Sequence, residues 1–253
     1  MINNSIRTSI PKLACLIAVT IFLTACSSNP TPTPPPAPAT KEQPAATAAQ
    51  EPTSLPLPTS TVQATSTVQP ARQVLYQDDF SDANSGWPTI TDADSIFRYT
   101  DDGKYQIDVL KLDWSRWLTV KKDFTDVSVE LDGVNPTGQD DPRIGIICRY
   151  ADDNNFYLLT ITTDGSSRIA KVKDGKLEVL VPWSKTPGIN PGSQVNHLRV
   201  DCVGSQLTLY ANEQQLASVS DSDFTHGEVG LFTATKTQAS GSVIFDNLVV
   251  YQP

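Results

Sequence analysis

The chain has 253 residues and a formal net charge of −9, from 28 Asp and Glu against 19 Lys and Arg. This acidic balance argues against a nucleic-acid partner, because nucleic-acid binding depends on neutralising phosphates. Only two His occur, and they show no metal-ligand spacing to each other, which disfavours a zinc site.

The N-terminus predicts export and lipidation. Residues 13–25 form an apolar or small run behind the cations Arg7 and Lys12. The run is too short to cross a bilayer as a helix, but it fits the h-region of a signal peptide. It ends in LTAC, which resembles the lipobox of bacterial lipoproteins. We therefore expect residues 1–25 to be a signal peptide and Cys26 to carry lipid. The lipid would anchor the exported protein to the periplasmic or cell-surface side of the bacterial envelope. A plain secretory signal with an incidental cysteine is the alternative.

The next segment predicts a stalk. Residues 27–70 hold most of the 19 prolines of the chain, mixed with Thr, Ala, Ser and Gln, and they include no aromatic residue. Such a composition cannot bury enough apolar surface to offset the entropy of ordering, and proline favours the extended polyproline II conformation. We expect residues 26–70 to be the lipidated cysteine followed by a disordered stalk. A proline-rich ligand for a partner domain is the alternative.

Residues 71–253 predict one all-β domain. Short runs of alternating apolar and polar residues recur with turn residues between them, and no window keeps helical spacing. This pattern is typical of a sandwich or barrel. Residues 143–220 should form mainly a meander, interrupted by a long loop at 182–194. In chain order the predicted strands are VLYQDDF, IFRYT, KYQIDVL, RWLTVKK, VSVELDG, RIGIICRY, NFYLLTIT, SRIAKVK, KLEVLV, HLRVDCV, QLTLYAN, QLASVS, EVGLFTA and SVIFDNLVVY.

Alternation also predicts a disulfide. It places Cys148 on the apolar face of the run at 143–150 and Cys202 on the apolar face of the run at 197–203. Because exported proteins permit disulfides, we expect a Cys148–Cys202 bridge inside the core. Two buried free thiols are the alternative. The same alternation places Arg149 on the opposite face, toward solvent or a concave surface.

The domain resembles a known superfold. The stretches DDFSDANSGWP, ICRYADDNNFYLL, LRVDCVGSQLTLYAN, GEVGLF and FDNLVVY resemble concanavalin A-like lectin and glucanase modules, which are laminin-G-like jelly rolls. The likeness is to modules of bacterial lipoproteins and extends to the 3-keto-disaccharide hydrolase domain. It covers residues 74–251 and implies two antiparallel sheets with the terminal strands side by side. This superfold hosts enzymes, lectins and inert spacers, so it does not by itself choose a function.

The resemblance also implies a structural calcium near the paired terminal strands, which is the one cofactor expected here. Asp79 and Asp246 are the candidate ligands. The alternative is that Asp246 caps a β-bulge or hydrogen-bonds the neighbouring strand.

A catalytic pair is not predicted. The motif ELDGVN resembles the Glu-x-Asp-x-x-Glu run of family-16 glucanases in Glu130 and Asp132, but Asn135 stands in the third carboxylate position. A retaining glycosidase needs two carboxyl groups about 5 Å apart, one of which gives up a proton, and Asn135 cannot do so. Alternation explains the two acids as outward residues of an exposed strand.

Binding is the favoured function. Ligand sites are concave and hold a few polar groups among aromatic surfaces. The chain is therefore expected to be a lipid-anchored envelope protein whose sandwich binds a carbohydrate, or another envelope ligand, without catalysis. A glycoside-cleaving hydrolase and a purely structural or protein-interaction module are the alternatives. Core packing also explains each aromatic residue on its own. The candidate ligand-binding residues are Arg149, Asn155, Tyr157, Lys171, Trp183 and Asp201, with Trp114, Trp117 and Tyr210 as further candidate aromatics.

Overall fold

The computed structural model describes residues 72–139 and 141–253. The predicted signal peptide at 1–25, the predicted lipid on Cys26 and the predicted stalk at 26–70 lie outside these residues. In the part of the chain that is described, no helix is long and apolar enough to cross a membrane.

Fifteen strands make up the regular structure of the described residues. In chain order they are β1 (Val74–Asp78), β2 (Ile90–Thr91), β3 (Ser95–Tyr99), β4 (Tyr105–Val109), β5 (Ser115–Thr119), β6 (Val127–Val134), β7 (Arg143–Asp152), β8 (Asn155–Thr162), β9 (Ser166–Lys173), β10 (Lys176–Lys185), β11 (Asn196–Val203), β12 (Gln206–Ala211), β13 (Gln214–Ser220), β14 (Glu228–Ala234) and β15 (Gly241–Tyr251).

The strands form two antiparallel sheets. A nine-stranded sheet has the order β13-β12-β11-β6-β15-β4-β3-β2, with β1 paired to β15. A six-stranded sheet has the order β10-β9-β8-β7-β14-β5. The predicted all-β fold is confirmed, and the terminal strands lie side by side as expected, with Val74 opposite Tyr251.

Every strand predicted from alternation is present. The pattern does not predict β2, because a strand of two residues shows no alternation. It also ends β10 too early: the strand continues to Lys185, so Trp183 lies in a strand and not in the predicted loop. The meander is interrupted after β10, where the chain crosses from the six-stranded sheet to the nine-stranded one.

The main core lies between the sheets. In β4, Tyr105, Ile107 and Val109 are buried while the residues between them are partly exposed. Burying a side chain of this size stabilises the fold by about 1.5–3 kcal/mol. The predicted disulfide is confirmed: Cys148 of β7 and Cys202 of β11 are bonded, so the bridge joins one sheet to the other through the core.

Candidate functional site

The outer face of the six-stranded sheet, which points away from the nine-stranded sheet, combines apolar and cationic side chains. The pairing register of the strands determines which side chains lie on this face. On β7, Arg143 lies opposite Thr162 of β8, and two residues on, Gly145 lies opposite Thr160. Thr160 in turn lies opposite Arg168 of β9. The alternating partners on β7 are Ile144 and Ile146, which belong to the core between the sheets.

An apolar cluster covers the middle of the outer face. The ring centroids of Trp117 and Phe156 are 5.4 Å apart, and Trp117 stacks on Phe232 at 6.4 Å. Gly145 makes this packing feasible, because a Cβ there would lie only 2.6 Å from the Thr160 methyl and 3.3 Å from the Phe232 ring. The sheet is therefore buried on both sides at its centre. The cluster consists of Trp117, Ile147, Phe156, Leu158, Val172, Phe232 and Ala234.

Two arginines meet one tryptophan at the margin of this cluster. The Cζ atom of Arg168 lies 4.8 Å from the centroid of the Trp183 ring, and that of Arg143 lies 5.5 Å from the same ring. Trp183 itself is half-buried. We call Arg143, Arg168 and Trp183 the arginine–tryptophan cluster.

The charges of this cluster are poorly compensated. Arg168 is only 6% exposed, and its buried Nε has no hydrogen-bond partner among residues 72–139 and 141–253. Burial, followed by repulsion from Arg143, lowers the pKa of Arg168 to about 10. Burial also lowers the pKa of Arg143, against the attraction of Asp141 and Asp113. Asp141 and Asp113 therefore offset part of the Arg143 charge, whereas no described carboxylate contributes to the pKa of Arg168.

Of the two nearby acids, Asp141 has other partners. Its carboxylate accepts hydrogen bonds from the backbone N–H groups of Lys236, Thr237 and Gln238 and from the Thr237 hydroxyl. These bonds outweigh burial and lower the pKa of Asp141. This carboxylate therefore organises the 236–238 turn.

A small depression opens beside the cluster. Its volume is about 20 Å³, which holds one or two water-sized groups, because one water needs about 10–15 Å³. Asp113 is the one carboxylate among its described lining residues. The buried indole Nε1 of Trp114 also has no hydrogen-bond partner. The lining consists of Asp113, Trp114, Ser115, Arg143, Leu158, Arg168, Leu177, Phe232 and Thr235.

A larger cleft of about 1,210 Å³ lies beside β5, with Trp87, Phe97 and Leu118 in its mostly apolar lining. Its buried arginine already has partners. Arg116 donates from Nε to the Ser95 hydroxyl at 2.9 Å and lies 3.8 Å from Asp94. The depression, by contrast, contains a cation whose polar atoms are not all satisfied, so we place the candidate site there.

Three residues predicted to bind ligand meet elsewhere. The Tyr157 hydroxyl donates to Asp221 at 2.5 Å and accepts from the Phe224 backbone N–H. Lys171 pairs with Asp221 at 2.7 Å and with Asp223. Arg149 donates to the Phe224 carbonyl at 2.8 Å and to Asp126. Together they fasten the 221–224 segment between β13 and β14. Burial and the bond to Asp221 raise the pKa of Tyr157 to about 12.

The predicted outward orientation of Arg149 and Tyr157 is wrong. Arg149 is 1% exposed, and Tyr157 is fully buried in the core between the sheets. The register of β7 shifts between Cys148 and Asp152, and Arg149 has a left-handed φ of 52°. This bulge ends the alternation on which the prediction depended. Tyr157 lies opposite Cys148, whose side chain faces the core.

The other residues predicted to bind ligand lie in different parts of the fold. Asn155 donates to Asp152 and accepts from the Asp174 backbone N–H, so it fastens the turns at one end of the sheet. Asp201 lies on the nine-stranded sheet and accepts from Ser128. Trp183 is the predicted ligand-binding residue that lies on the outer face.

The other candidate aromatics divide between the sheets. Trp117 belongs to the apolar cluster of the outer face, and Trp114 lines the depression. Tyr210 lies on the nine-stranded sheet, where the Cζ of Arg199 is 3.8 Å from its ring centroid. Reasoning from the sequence missed Arg168. Register counted across the TDG turn, with Thr162 opposite Ser166, could have placed it beside Thr160.

The acids of the ELDGVN motif lie on the nine-stranded sheet. Glu130 pairs with Arg72. Asp132 accepts from His197 Nδ1 at 2.7 Å and from Asn247 at 2.9 Å. The hydrogen bond to Asp132 is the main cause that raises the pKa of His197. Both acids are therefore engaged in cross-strand pairs, away from the outer face.

The two candidate calcium ligands have partners within the protein. Asp79 accepts hydrogen bonds from the backbone and hydroxyl of Ser81. Asp246 accepts from the backbone N–H of Asn247 at a register shift of β15, and Lys104 lies 3.8 Å from its carboxylate. Within the described ranges, no group of three or more His, Cys, Asp and Glu could hold a metal ion. Both carboxylates thus have partners within the protein, and the calcium site stays a prediction.

No protein-family model and no curated protein matches the chain. Solved structures do match its fold. A carbohydrate-binding module, CBM66 from Bacillus subtilis, is 19% identical, with a TM-score of 0.53 over 65% of this chain and 100% of the module. A Bacillus licheniformis β-glucanase is 8% identical, with a TM-score of 0.54 over 73% and 100%. A Bacillus subtilis protein of unknown function with a galectin-like fold is 10% identical, with a TM-score of 0.54 over 71% and 96%. The described domain therefore has the concanavalin A-like jelly-roll fold that the sequence resembles.

Proposed function

We propose that this chain is an exported, lipid-anchored protein whose sandwich binds carbohydrate on the outer face of its six-stranded sheet, without cleaving it. The observation that carries the proposal is the arginine–tryptophan cluster beside the depression. A partly exposed indole offers a flat apolar surface for a sugar ring, and the guanidinium groups offer several donors for its oxygens.

The fold supports the same function. A carbohydrate-binding module shares the topology over its whole length. At this low identity the likeness shows the fold alone, so the choice of ligand depends on the side chains. Trp183, Arg143 and Arg168 come from three different strands, and rigid strands hold binding groups more precisely than loops do.

The choice of binding over hydrolysis depends on the acids of the site. A retaining glycosidase needs two carboxyl groups about 5 Å apart, and an inverting one needs them about 6.5–9.5 Å apart. Among the described residues that line the depression, Asp113 is the one carboxylate. Because a glucanase shares this fold, hydrolysis remains the alternative that the experiment must address.

A glycan array probed with the full chain, followed by calorimetry on the glycans retained, tests the proposal. Trp183→Ala should weaken binding at least tenfold. Tyr210→Ala is the matched control, because Tyr210 also stacks with an arginine, but on the other sheet; it should bind as the parent does. Absence of binding to every glycan would contradict the proposal. New reducing ends after incubation with a retained glycan would favour the hydrolase.

The lipid anchor needs its own test. Mass spectrometry of the mature protein should find a diacylglycerol on Cys26 as the first residue. Cys26→Ala should abolish that mass and release the protein from the membrane fraction. A mature protein that begins elsewhere and carries no lipid would favour the plain secretory signal.

A further inference from the structure

We propose that the arginine–tryptophan cluster is an anion subsite that selects an acidic sugar, one that bears a carboxylate or a sulfate ester. The inference rests on the proposed carbohydrate-binding function and specifies its ligand class.

The first argument is the electrostatic state of Arg168. Only 6% of its surface is exposed, and its Nε–H group has no acceptor in the part of the chain that the structure describes. A buried polar group ordinarily finds a partner, and a buried charge is ordinarily paired. Within the described part of the chain, Arg143 is the one charged neighbour that perturbs Arg168, and it carries the same sign. An oxyanion beside this guanidinium would supply the missing negative charge.

The second argument is the convergence of two cations. Both guanidinium carbons lie within 5.5 Å of the centroid of the Trp183 ring. Both arginines also line the depression, and repulsion from Arg143 contributes to the lowered pKa of Arg168. A negative group in the depression would relieve this repulsion. A neutral hydroxyl would relieve much less of it, because it brings no net negative charge to oppose the guanidinium charges.

The third argument is size. The depression of about 20 Å³ is too small for a sugar ring, but it matches one small substituent. One or two oxygens of a carboxylate or sulfate group could enter it while the ring to which the group is attached stays on the Trp183 face. Arginine suits this task because its planar fork binds carboxylate and sulfate-like oxygens through two parallel hydrogen bonds.

The other arginine that stacks on an aromatic ring provides the internal contrast. Arg199 lies 3.8 Å from the Tyr210 centroid and has a carboxylate neighbour, Asp201, at 3.5 Å. Arg199 thus has a carboxylate neighbour, although its Nε, like that of Arg168, has no hydrogen-bond partner among the described residues. In the arginine–tryptophan cluster, Asp141 and Asp113 attract Arg143, but no described carboxylate contributes to the pKa of Arg168, so the anion is expected beside Arg168.

Calorimetry on the full chain tests the inference with four probes: oligogalacturonate, its methyl ester, a sulfated galactose oligomer and a neutral cello-oligosaccharide. The parent should bind the uronate or the sulfated oligomer at least about tenfold more tightly than the ester and the neutral sugar, as expected for loss of a charged hydrogen bond. The relative affinities of the two acidic probes identify the anion. Arg168→Met should remove this preference, Arg168→Lys should restore only part of it, and Arg199→Met should leave it unchanged.

The outcomes separate the two proposals. Equal affinity for oligogalacturonate and its methyl ester, with no effect of Arg168→Met, would overturn the anion subsite and leave carbohydrate binding intact. If no oligosaccharide binds, sulfate and acetate, which are anions without a sugar ring, are titrated while the Arg168 Nε–H signal is followed by NMR. A saturable shift in the parent that Arg143→Met weakens would support the anion subsite and contradict carbohydrate binding. No shift would contradict both. A melting curve for each variant shows that it is folded.

Discussion

Replacing Arg168 with Met should stabilise the domain or leave its stability unchanged, although it removes a buried residue. Burial of this guanidinium lowers its pKa to about 10, whereas arginine in water titrates above about 12. Since a pKa shift of one unit corresponds to about 1.4 kcal/mol, keeping Arg168 charged costs on the order of 3 kcal/mol in the folded state. Met keeps most of the apolar stem and carries no charge.

The loss that opposes this gain is the contact with Trp183. A cation–π pair contributes about 0.5–2 kcal/mol, depending on its exposure. The net expectation is a gain of about 1–2 kcal/mol in the free energy of unfolding. For a domain of this size, that corresponds to a rise of about 2–8 °C in the melting temperature.

Arg149→Met is the matched control, since Arg149 is also buried but bonds to the Phe224 carbonyl and to Asp126. Its loss should destabilise the domain, because a hydrogen bond to a charged group contributes about 1.5–3 kcal/mol. Urea unfolding of both variants, followed by Trp fluorescence, measures the two changes. If Arg168→Met lost more than about 1 kcal/mol, as Arg149→Met should, Arg168 would have a structural partner, and the argument from an uncompensated charge would be refuted.

Three other properties of the fold lead to predictions. Replacing Cys148 and Cys202 together with Ser should lower the free energy of unfolding by about 2–5 kcal/mol; an unchanged urea midpoint would contradict the view that the bridge, which joins residues 54 positions apart, restricts the unfolded chain. Ile146→Ala should cost about 2–5 kcal/mol through lost burial and a cavity, and a cost below 1 kcal/mol would show that the site collapses. The raised pKa of His197 means that its pairing with Asp132 contributes stability below pH 6.5 that is lost as pH rises through the higher folded value. NMR titration should find that higher pKa in the parent and a lower one in Asp132→Asn.

The fold was largely predictable because it depends on local alternation. Period-2 runs identified the strands, and the same pattern placed Cys148 and Cys202 on apolar faces that prove to face each other across the core. The prediction for Arg149 was wrong because an alternating sequence pattern does not show where a strand has a bulge. A bulge with a left-handed backbone at Arg149 breaks the alternation of side chains along β7, and the residue types at 148–152 do not identify its position.

The site was less predictable because it depends on register between strands. The sequence offers Trp183 as a candidate because it lies at the start of the predicted loop at 182–194, next to Pro182, which makes it the least core-like of the aromatic residues. Arg143 and Arg168 lie 25 positions apart in a sequence that contains other cations of the same appearance, such as Lys171. What separates them is which face of the sheet each occupies and which acids lie nearby. Lys171 forms ion pairs with Asp221 and Asp223, whereas the two arginines both lie at the Trp183 ring.

The net charge of the chain places a further demand on an acidic ligand. At −9, the protein as a whole repels polyanions, and at physiological salt exposed charges are felt over only about 8 Å. Long-range attraction therefore cannot bring an acidic glycan to the outer face, and its affinity must come from short contacts inside the depression. Those contacts are dry and are screened less by salt. Added salt should thus speed association by weakening the general repulsion, while the preference for an acidic over an esterified sugar should fall much less. A nonspecific basic patch would show the opposite behaviour, losing both affinity and preference as salt is added.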